Sequence, residues 1–319
     1  MEETNPLVSV CMPAFNAAGY IAEAIRSVIG QSYTNLELII VNDGSTDETL
    51  KIATDFNDSR ITVYTTANRG QCAAANEAFR LSKGQFIKFF DADDILSKNF
   101  IEEQVKLIYD KPNCIAAASW GRFYRNDLTT FKLNINQNDH DQLPINWLAN
   151  AMLNGQVMLQ CALWLVPRNI LTKSGLWNEK LSLINDFDFF IRILVKANFL
   201  YFSPSSILYY RSGVLGSLSS QETRKAVLSA YTSITLGINS MLEKENSDRI
   251  KKIAANTFQH FVYDYYPKFP DLINLAQREV TRYGGSDLKF PTGGVTLILN
   301  KIFGWKLTRK IKLLIKNEK

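Results

Sequence analysis

The sequence predicts an α/β fold: a mostly parallel sheet flanked by helices, followed by a helical region. Three observations lead there. Short apolar runs alternate with stretches of helical spacing through the first third of the chain. The loops closing four of those runs are polar, and from about Ser220 only helical periodicity remains. Alternation of this kind pairs strands in parallel and covers both faces of the sheet with helices.

The elements follow in order. Val8–Met12 ("VSVCM") is a strand ending at a proline-containing loop, and Ile21, Ala24, Ile25 and Val28 then keep helical spacing. Leu36–Val41 ("LELIIV") is the second strand, and "TDETLKIATDF" is the helix after it, with Ser45 or Thr46 the expected N-cap. "ITVYTT" is the third strand and "QCAAANEAFRLS" the next helix, stopped near Gly84. "QFIKFF" is the fourth strand and "NFIEEQVKLIY" its helix. Beyond Ser220, helices are expected over 222–243, 247–266 and 271–283, and Gly284, Gly285 and "FPTGG" then break the pattern.

Ligands of such sheets bind outside the carboxyl ends of the strands. Here those ends carry "PAFN", "NDGSTD", "NRG" and "DADD". Any one of them reads as a turn; together they set polar groups where a single ligand can touch them all. The last is the most demanding. Asp91, Asp93 and Asp94 follow a buried strand with only Ala92 between them, and like charges that close repel, the more so when buried. A divalent cation would relieve the conflict.

Composition narrows the classes. With 46% hydrophobic residues in 319, the chain has material for a large core. The opening "MEETNPLVSV" lacks the basic and apolar regions of a signal peptide, and no run of 18 apolar residues predicts a spanning helix. Cys11, Cys72, Cys114 and Cys161 are scattered, as expected of reduced core thiols in a cytosolic protein. His140 and His260 are the only histidines, so no His/Cys cluster competes for a metal. The net charge of +5 is misleading: residues 301–319 hold seven Lys/Arg and one Glu, which leaves the remainder at −1. A near-neutral body argues against a broad nucleic-acid-binding face. In the tail, Leu299, Phe303, Leu307, Ile311 and Leu314 keep helical spacing beside Lys306, Arg309, Lys310, Lys312 and Lys316. Such a helix suits peripheral contact with an anionic membrane through 297–316, at the inner face of the cell membrane, or docks on the body.

The segments "VSVCMPAFNAAGYIAEAIRSVIGQSY", "ELIIVNDGSTDET", "NRGQCAAANEAF", "GQFIKFFDADD", "LWLVPRNILTKSGLWNEKLSLINDFDFFIRIL" and "LYYRSG" stand in one order over residues 7–215. In this they resemble the inverting family-2 glycosyltransferases of bacterial surface-glycan synthesis, which have the GT-A fold and use nucleotide-activated sugars. The resemblance implies a GT-A domain over 1–220, with a nucleotide half at about 7–115 and an acceptor half at about 116–220, and a helical region over 221–319. It implies that Pro13, Ala14, Phe15 and Asn16 wall the nucleotide base and that Asp43 accepts a hydrogen bond from the base's ring N–H, favouring uracil or thymine. Arg69 and Gly70 would approach base or ribose. Asp91, Ala92 and Asp93 form the DxD motif, Asp91 near the ribose and Asp93 on Mn²⁺ or Mg²⁺. Asp94 is expected at a helix start or facing solvent.

On the acceptor side, Asp186 aligns with the family's general base, and Asp188 is the second candidate. On a helix the two point in different directions, so only one should face the substrate. Asn185 stands where many relatives carry Glu. Trp164 is a candidate floor for the acceptor pocket or a core aromatic. Arg211 is a candidate partner for phosphate, although many relatives add a His after it and this chain does not. The implied reaction is metal-dependent transfer of a sugar from a UDP- or dTDP-sugar to a glycan or glycolipid hydroxyl. Asn185 and the missing His support an alternative, a non-catalytic nucleotide-sugar or glycan-binding protein on the same scaffold. Phosphoryl transfer is disfavoured because GxxxxGK[ST] is absent.

Overall fold

The computed structural model describes residues 5–213 and 222–317. Its first layer runs β1 (Val8–Ala14), α1 (Ile21–Ile29), β2 (Leu36–Asp43), α2 (Thr49–Thr54), β3 (Ile61–Thr66), α3 (Gln71–Leu81) and β4 (Phe86–Phe89). β5 (Ile95–Leu96), α4 (Phe100–Ile108), β6 (Cys114–Tyr124), β7 (Asp127–Asn134) and α5 (Pro144–Ala151) follow. Then come β8 (Val166–Pro167), α6 (Arg168–Ser174), α7 (Asn185–Lys196) and β9 (Phe199–Ser212). The chain closes with α8 (Arg224–Lys244), α9 (Asp248–Tyr265), α10 (Pro270–Arg282) and α11 (Val295–Asn317).

The first sheet has the order β3-β2-β1-β4-β8, with β1 to β4 parallel and β8 antiparallel at one edge. A parallel strand covered on both faces must be apolar on both faces, and Val8, Val10, Cys11 and Met12 of the central strand are fully buried. The N-cap of α2 differs from expectation: Glu48 holds that position, without a side-chain cap. Ser45 and Thr46 are drawn across to the loop after β1 instead. Asn16 donates its N–H to Ser45 Oγ (3.0 Å), and its Oδ1 accepts the Thr46 N–H (2.8 Å).

The second sheet, β5-β9-β6-β7, was not resolved by periodicity. β6 reads "CIAAASWGRFY", with its first six residues all buried and small side chains among them, so neither alternation nor bulk marks it as a strand. It pairs in parallel with β9, whose register shifts opposite Ala118 and Ser119. The sheets are joined where Ala116 and Leu165 exchange backbone hydrogen bonds (3.2 and 2.9 Å). They are joined again by the Asp91–Asp94 loop, which leaves β4 of one and enters β5 of the other.

α8 to α10 match the three expected helices to within about two residues. The side chains of Thr223 and Ser247 cap α8 and α9 by accepting N–H bonds three residues on. The domain boundary expected near 220 lies outside the described residues. All four cysteines are free and buried, as expected.

One core residue is anomalous. Lys88 in β4 is fully buried, its Nζ donating to the carbonyls of Ala162 (2.9 Å) and Trp164 (3.2 Å) and lying 4.4 Å from the centre of the Phe100 ring. Burial pushes its pKa well below the ordinary lysine value. The amine thus pins the segment 162–164 to the first sheet. Lys88→Met keeps the stem volume but leaves two buried carbonyls without that donor, and is expected to lower stability by about 2–4 kcal/mol in urea unfolding.

Candidate functional site

A cavity of about 1290 Å³ opens at the carboxyl ends of β1, β2 and β4, and its walls extend to α5, α7 and α9. Pro13, Ala14, Phe15, Asn16, Asp43, Gly70, Asp91, Ala92 and Asp93 line one end, so four loops distant in sequence converge. Asp43 is almost fully buried and fixes the loop after β3. Its Oδ1 accepts the Arg69 N–H (2.8 Å) and its Oδ2 the Gly70 N–H (2.8 Å), while Thr66 Oγ1 donates at 3.2 Å. Gly70 has φ of 96°, a conformation open to glycine at little cost. Arg69 contributes its backbone here; its guanidinium turns outward to Glu179 (3.0 Å) and is not part of the lining.

The acidic loop is held by neutral amides and by one arginine. Asp91 accepts from Gln71 Nε2 (2.9 Å) and Gln160 Nε2 (3.2 Å). The same Gln160 Nε2 reaches Asp94 Oδ2 at 2.7 Å, and Arg211 donates its N–H to Asp94 Oδ1 at 2.8 Å. Asp94 therefore corrects the expectation made for it: it is fully buried, precedes no helix directly, and serves as the internal brace of the loop. Arg211 also differs from expectation. Its Nε donates to the Asp93 carbonyl (2.6 Å), its Nη2 pairs with Glu23 (2.7 Å), and its guanidinium lies between the rings of Tyr20 and Phe123. It stands behind the loop, outside the cavity lining, because β9 runs beside β5 there.

Burial and mutual repulsion raise these carboxyl groups. Asp91 is pushed up to about 6 by burial and then by the charge of Asp186; Asp93 rises to about 7 by burial and then by Asp91. Asp94 is likewise raised well above the ordinary carboxyl value, chiefly by burial. Among the described residues, no group of three or more His, Cys, Asp or Glu is arranged to hold a metal by itself.

The facing wall is the start of α7. Ile184 is left-handed (φ 58°), which turns the chain so that Asn185 and Asp186 enter the cavity at the first helical turn. Burial lifts Asp186 to about 6. Asn185 Nδ2 donates to Gln71 Oε1 (3.1 Å), and Gln71 in turn holds Asp91, so a chain of amides links the two walls. A carboxylate at 185 would turn an acceptor toward that oxygen. Asp188 does not face the cavity: it is buried in a two-point ion pair with Arg192 (3.0 and 2.8 Å). Trp164 is a core aromatic that reaches the cavity wall, stacked on Phe190 and edge-on to Trp147.

Some of the site carries no motif. Gln160 is an isolated polar residue in apolar sequence, and Gln71 lies inside "NRGQCAAANEAF" at a helix start, where nothing in the sequence marks its side chain as a partner of Asp91. The helices after 220 take a direct part. Ser229 Oγ accepts the Ser182 N–H (2.8 Å), Ser233 Oγ donates to the Ile184 carbonyl (2.6 Å), and the Asp188 N–H reaches the same hydroxyl (3.1 Å). α8 approaches so closely at Gly237 that a Cβ there would lie 2.7 Å from the Phe187 ring. α9 supplies Thr257, His260, Phe261, Asp264 and Tyr265 to the cavity wall, with His260 Nδ1 2.9 Å from Asp264 Oδ2.

Residues 9–169 match the family described as Glycosyl transferase family 2. The chain belongs to that family. An uncharacterized glycosyltransferase of Rickettsia prowazekii is 30% identical to this family-2 glycosyltransferase over 256 residues, which are 77% of this chain and 76% of that protein. A putative teichuronic acid biosynthesis glycosyltransferase of Bacillus subtilis, TuaG, is 38% identical over 35% of this chain and 45% of its own. Among solved structures, S. aureus TarS 1-349 in complex with UDP-GlcNAc has a TM-score of 0.69 at 18% identity, covering 87% of this chain and 81% of that one. The fold is thus the GT-A glycosyltransferase fold with a C-terminal helical region.

The raised carboxyl groups have a thermodynamic consequence. Asp93 in the folded chain keeps a proton up to about pH 7, whereas the unfolded carboxyl loses it near 4. Its contribution to stability is complete below about pH 4 and is lost as pH rises through about 7. In chelator, the melting temperature of the unmodified chain relative to Asp93→Asn is therefore expected to fall between about pH 4 and 7, as followed by thermal unfolding.

Proposed function

We propose that this protein is an inverting, divalent-cation-dependent glycosyltransferase that moves a sugar from a nucleoside-diphosphate sugar to a hydroxyl of a cell-surface glycan or glycolipid. The observation that carries the reading is that Asp91 and Asp93 line one wall of the cavity while Asp186, close enough to raise Asp91, lines the wall facing them. Inversion requires the acceptor oxygen to attack the anomeric carbon opposite the leaving diphosphate. A base on the far wall is what that geometry needs. Asp186, at about 6, is ionised at neutral pH yet basic enough to take a proton as the new bond forms. The acceptor O–H proton passes to Asp186, the C–O bond to the acceptor forms, and the bonding pair to the diphosphate leaves with the nucleotide.

The donor set fits Mg²⁺ or Mn²⁺. Both are hard ions that take one or two carboxylates and complete their shell with phosphate oxygens and water, and the Asp93 carboxylate lines the cavity, held by its own backbone N–H. When bound, such an ion would supply Lewis acidity toward the departing diphosphate. Asp94, Gln160 and Arg211 are assigned the role of holding the Asp91–Asp93 turn rather than touching the donor. For the base, Asp43 Oδ1 is taken by Arg69 and Thr66, but Oδ2 keeps a lone pair beyond the one used by Gly70, enough to accept a ring N–H of uracil or thymine. TarS, the fold neighbour, is seen with UDP-GlcNAc and with UDP, and TuaG is named for teichuronic acid biosynthesis. Uridine donors are therefore the first to screen, and surface glycans the first acceptors.

Nucleoside diphosphate release from a panel of sugar nucleotides is expected with Mn²⁺ or Mg²⁺ and abolished by EDTA. Asp186→Asn should cut turnover by at least about 10³-fold while leaving donor affinity within about two-fold, and Asp93→Ala should weaken both. Retained turnover in Asp186→Asn removes Asp186 as the base. Donor binding without release from any sugar nucleotide favours the non-catalytic reading.

The far end of the cavity is assigned to the acceptor. His260 and Asp264 stand there on α9 with Tyr265, giving hydrogen-bonding groups beside an aromatic face, as sugar hydroxyls and C–H surfaces require. His260→Ala and Asp264→Asn are each expected to raise the acceptor KM by about 10-fold with donor affinity unchanged, in initial-rate measurements at saturating donor.

A further inference from the structure

The last helix, α11, is docked on one side and bare on the other. Its inner side is set by Trp305, whose ring centre lies 4.9 Å from that of Tyr263, 5.1 Å from Tyr266 and 5.9 Å from Phe290. Thr308 is buried against the body, and Arg309 donates to the backbone carbonyls of Asp264 and Tyr266. Gly304, at φ 72°, breaks the helix so that its second half takes this dock at its own angle. The outer side carries Ile298, Ile302 and Phe303 before the break and Leu307, Leu314 and Ile315 after it. These side chains are 43–66% exposed. With about 100° per residue, Leu307, Ile311 and Leu314 form one stripe, and Lys306 and Lys310 border it.

We propose that this outer face is a docking surface for an anionic lipid bilayer, on which α11 lies flat. A continuous run of large exposed apolar side chains marks a surface that another phase or molecule covers. Charge selects the occupant. Between Val295 and Asn317 there are six Lys/Arg and no Asp or Glu; Arg309 and Lys312 bond backbone carbonyls of the body, and the charges bordering the apolar stripe, Lys306 and Lys310, are cationic. A second copy of the chain meeting this one through the same face would bring two lysine rims together, and like charges at short range oppose that contact. Negatively charged headgroups above an acyl layer complement both the rim and the stripe. No described helix is long and apolar enough to cross a membrane, so the contact is at the interface.

The dock also fixes where that bilayer stands relative to the cavity. Arg309 holds the carbonyl of Asp264, and Asp264 and Tyr265 line the end assigned to the acceptor. On that assignment, which rests on the function proposed above, the acceptor is presented from the membrane side and is itself membrane-borne. Binding to the bilayer does not depend on it.

The test uses the full chain and co-sedimentation with phosphatidylcholine vesicles, with and without about one third phosphatidylglycerol. The chain is expected to partition at least about 10-fold better onto the anionic vesicles, and added salt should weaken this. Leu307→Asp with Leu314→Asp should abolish pelleting without altering the melting temperature, since both side chains are exposed. Lys306→Gln with Lys310→Gln should keep the apolar stripe yet lose most of the preference for anionic lipid. Three results would each overturn the proposal: equal pelleting of the Leu307→Asp/Leu314→Asp variant, equal binding to neutral and anionic vesicles, or absence of vesicle binding with a dimer that the same variant dissolves. Nucleoside diphosphate release from soluble substrates, measured in parallel on that variant, should stay at the level of the unmodified chain. A failure of the glycosyltransferase reading would appear there, independently of the vesicles.

Discussion

Between β4 and β5 the chain crosses from one sheet to the other and carries three carboxylates into buried space. Their repulsion sets the terms for everything around them. Two remedies are built into the fold. Gln71 and Gln160 offer amide donors that carry no charge of their own, and Arg211 offers its backbone N–H to Asp94 and its guanidinium to the Asp93 carbonyl. The arginine's own charge is met by Glu23 on α1 and by two aromatic faces. The loop is thereby stitched to α1, α3, β9 and the turn before β8. The Asp93 side chain at the cavity surface is held by its own backbone N–H and is bridged by neither glutamine, and it is the point at which an outside cation gains most.

The opposite wall depends on a different constraint. Asp186 enters the cavity because Ile184 adopts a left-handed backbone and because α8 grips the segment before α7. Ser229 and Ser233 satisfy polar groups of Ser182, Leu183, Ile184 and Asp188, and Gly237 lets the two helices close to contact through Phe187. The helices beyond residue 221 are therefore part of the frame of the site. They hold one carboxylate in place and supply the far wall through α9.

Much of this was legible, and the limits have physical causes. The parallel sheet could be read because strands buried on both faces need unbroken apolar runs, and its helices because Ile21, Ala24, Ile25 and Val28 repeat at helical spacing. The polar loops at strand ends follow from the same topology. Asp94 was misread because sequence records charge but not the partner that makes burial tolerable, and its partners lie 66 and 117 residues away. Asp188 is similar: Arg192 stands one helical turn on, a spacing that permits an ion pair without declaring one. The second sheet was missed because its central strand is rich in alanine, and pairing of β6 with β9 spans a long separation that periodicity does not encode.

The two cationic features of the C-terminal half divide along the same line. Arg309 and Arg211 are both consumed internally, the first by the backbone carbonyls of Asp264 and Tyr266, the second by the Asp93 carbonyl, Glu23 and two aromatic rings, none of which a sequence reveals. Lys306 and Lys310 are exposed beside apolar side chains that the body leaves uncovered, Lys306 with its Nζ 5.9 Å from the centre of the Trp305 ring. An arginine's planar fork suits fixed internal contacts, whereas a lysine on a flexible stem suits a surface that meets a fluid layer of headgroups. In α11 the docked arginine sets the angle of the helix, and the exposed lysines set what that angle presents.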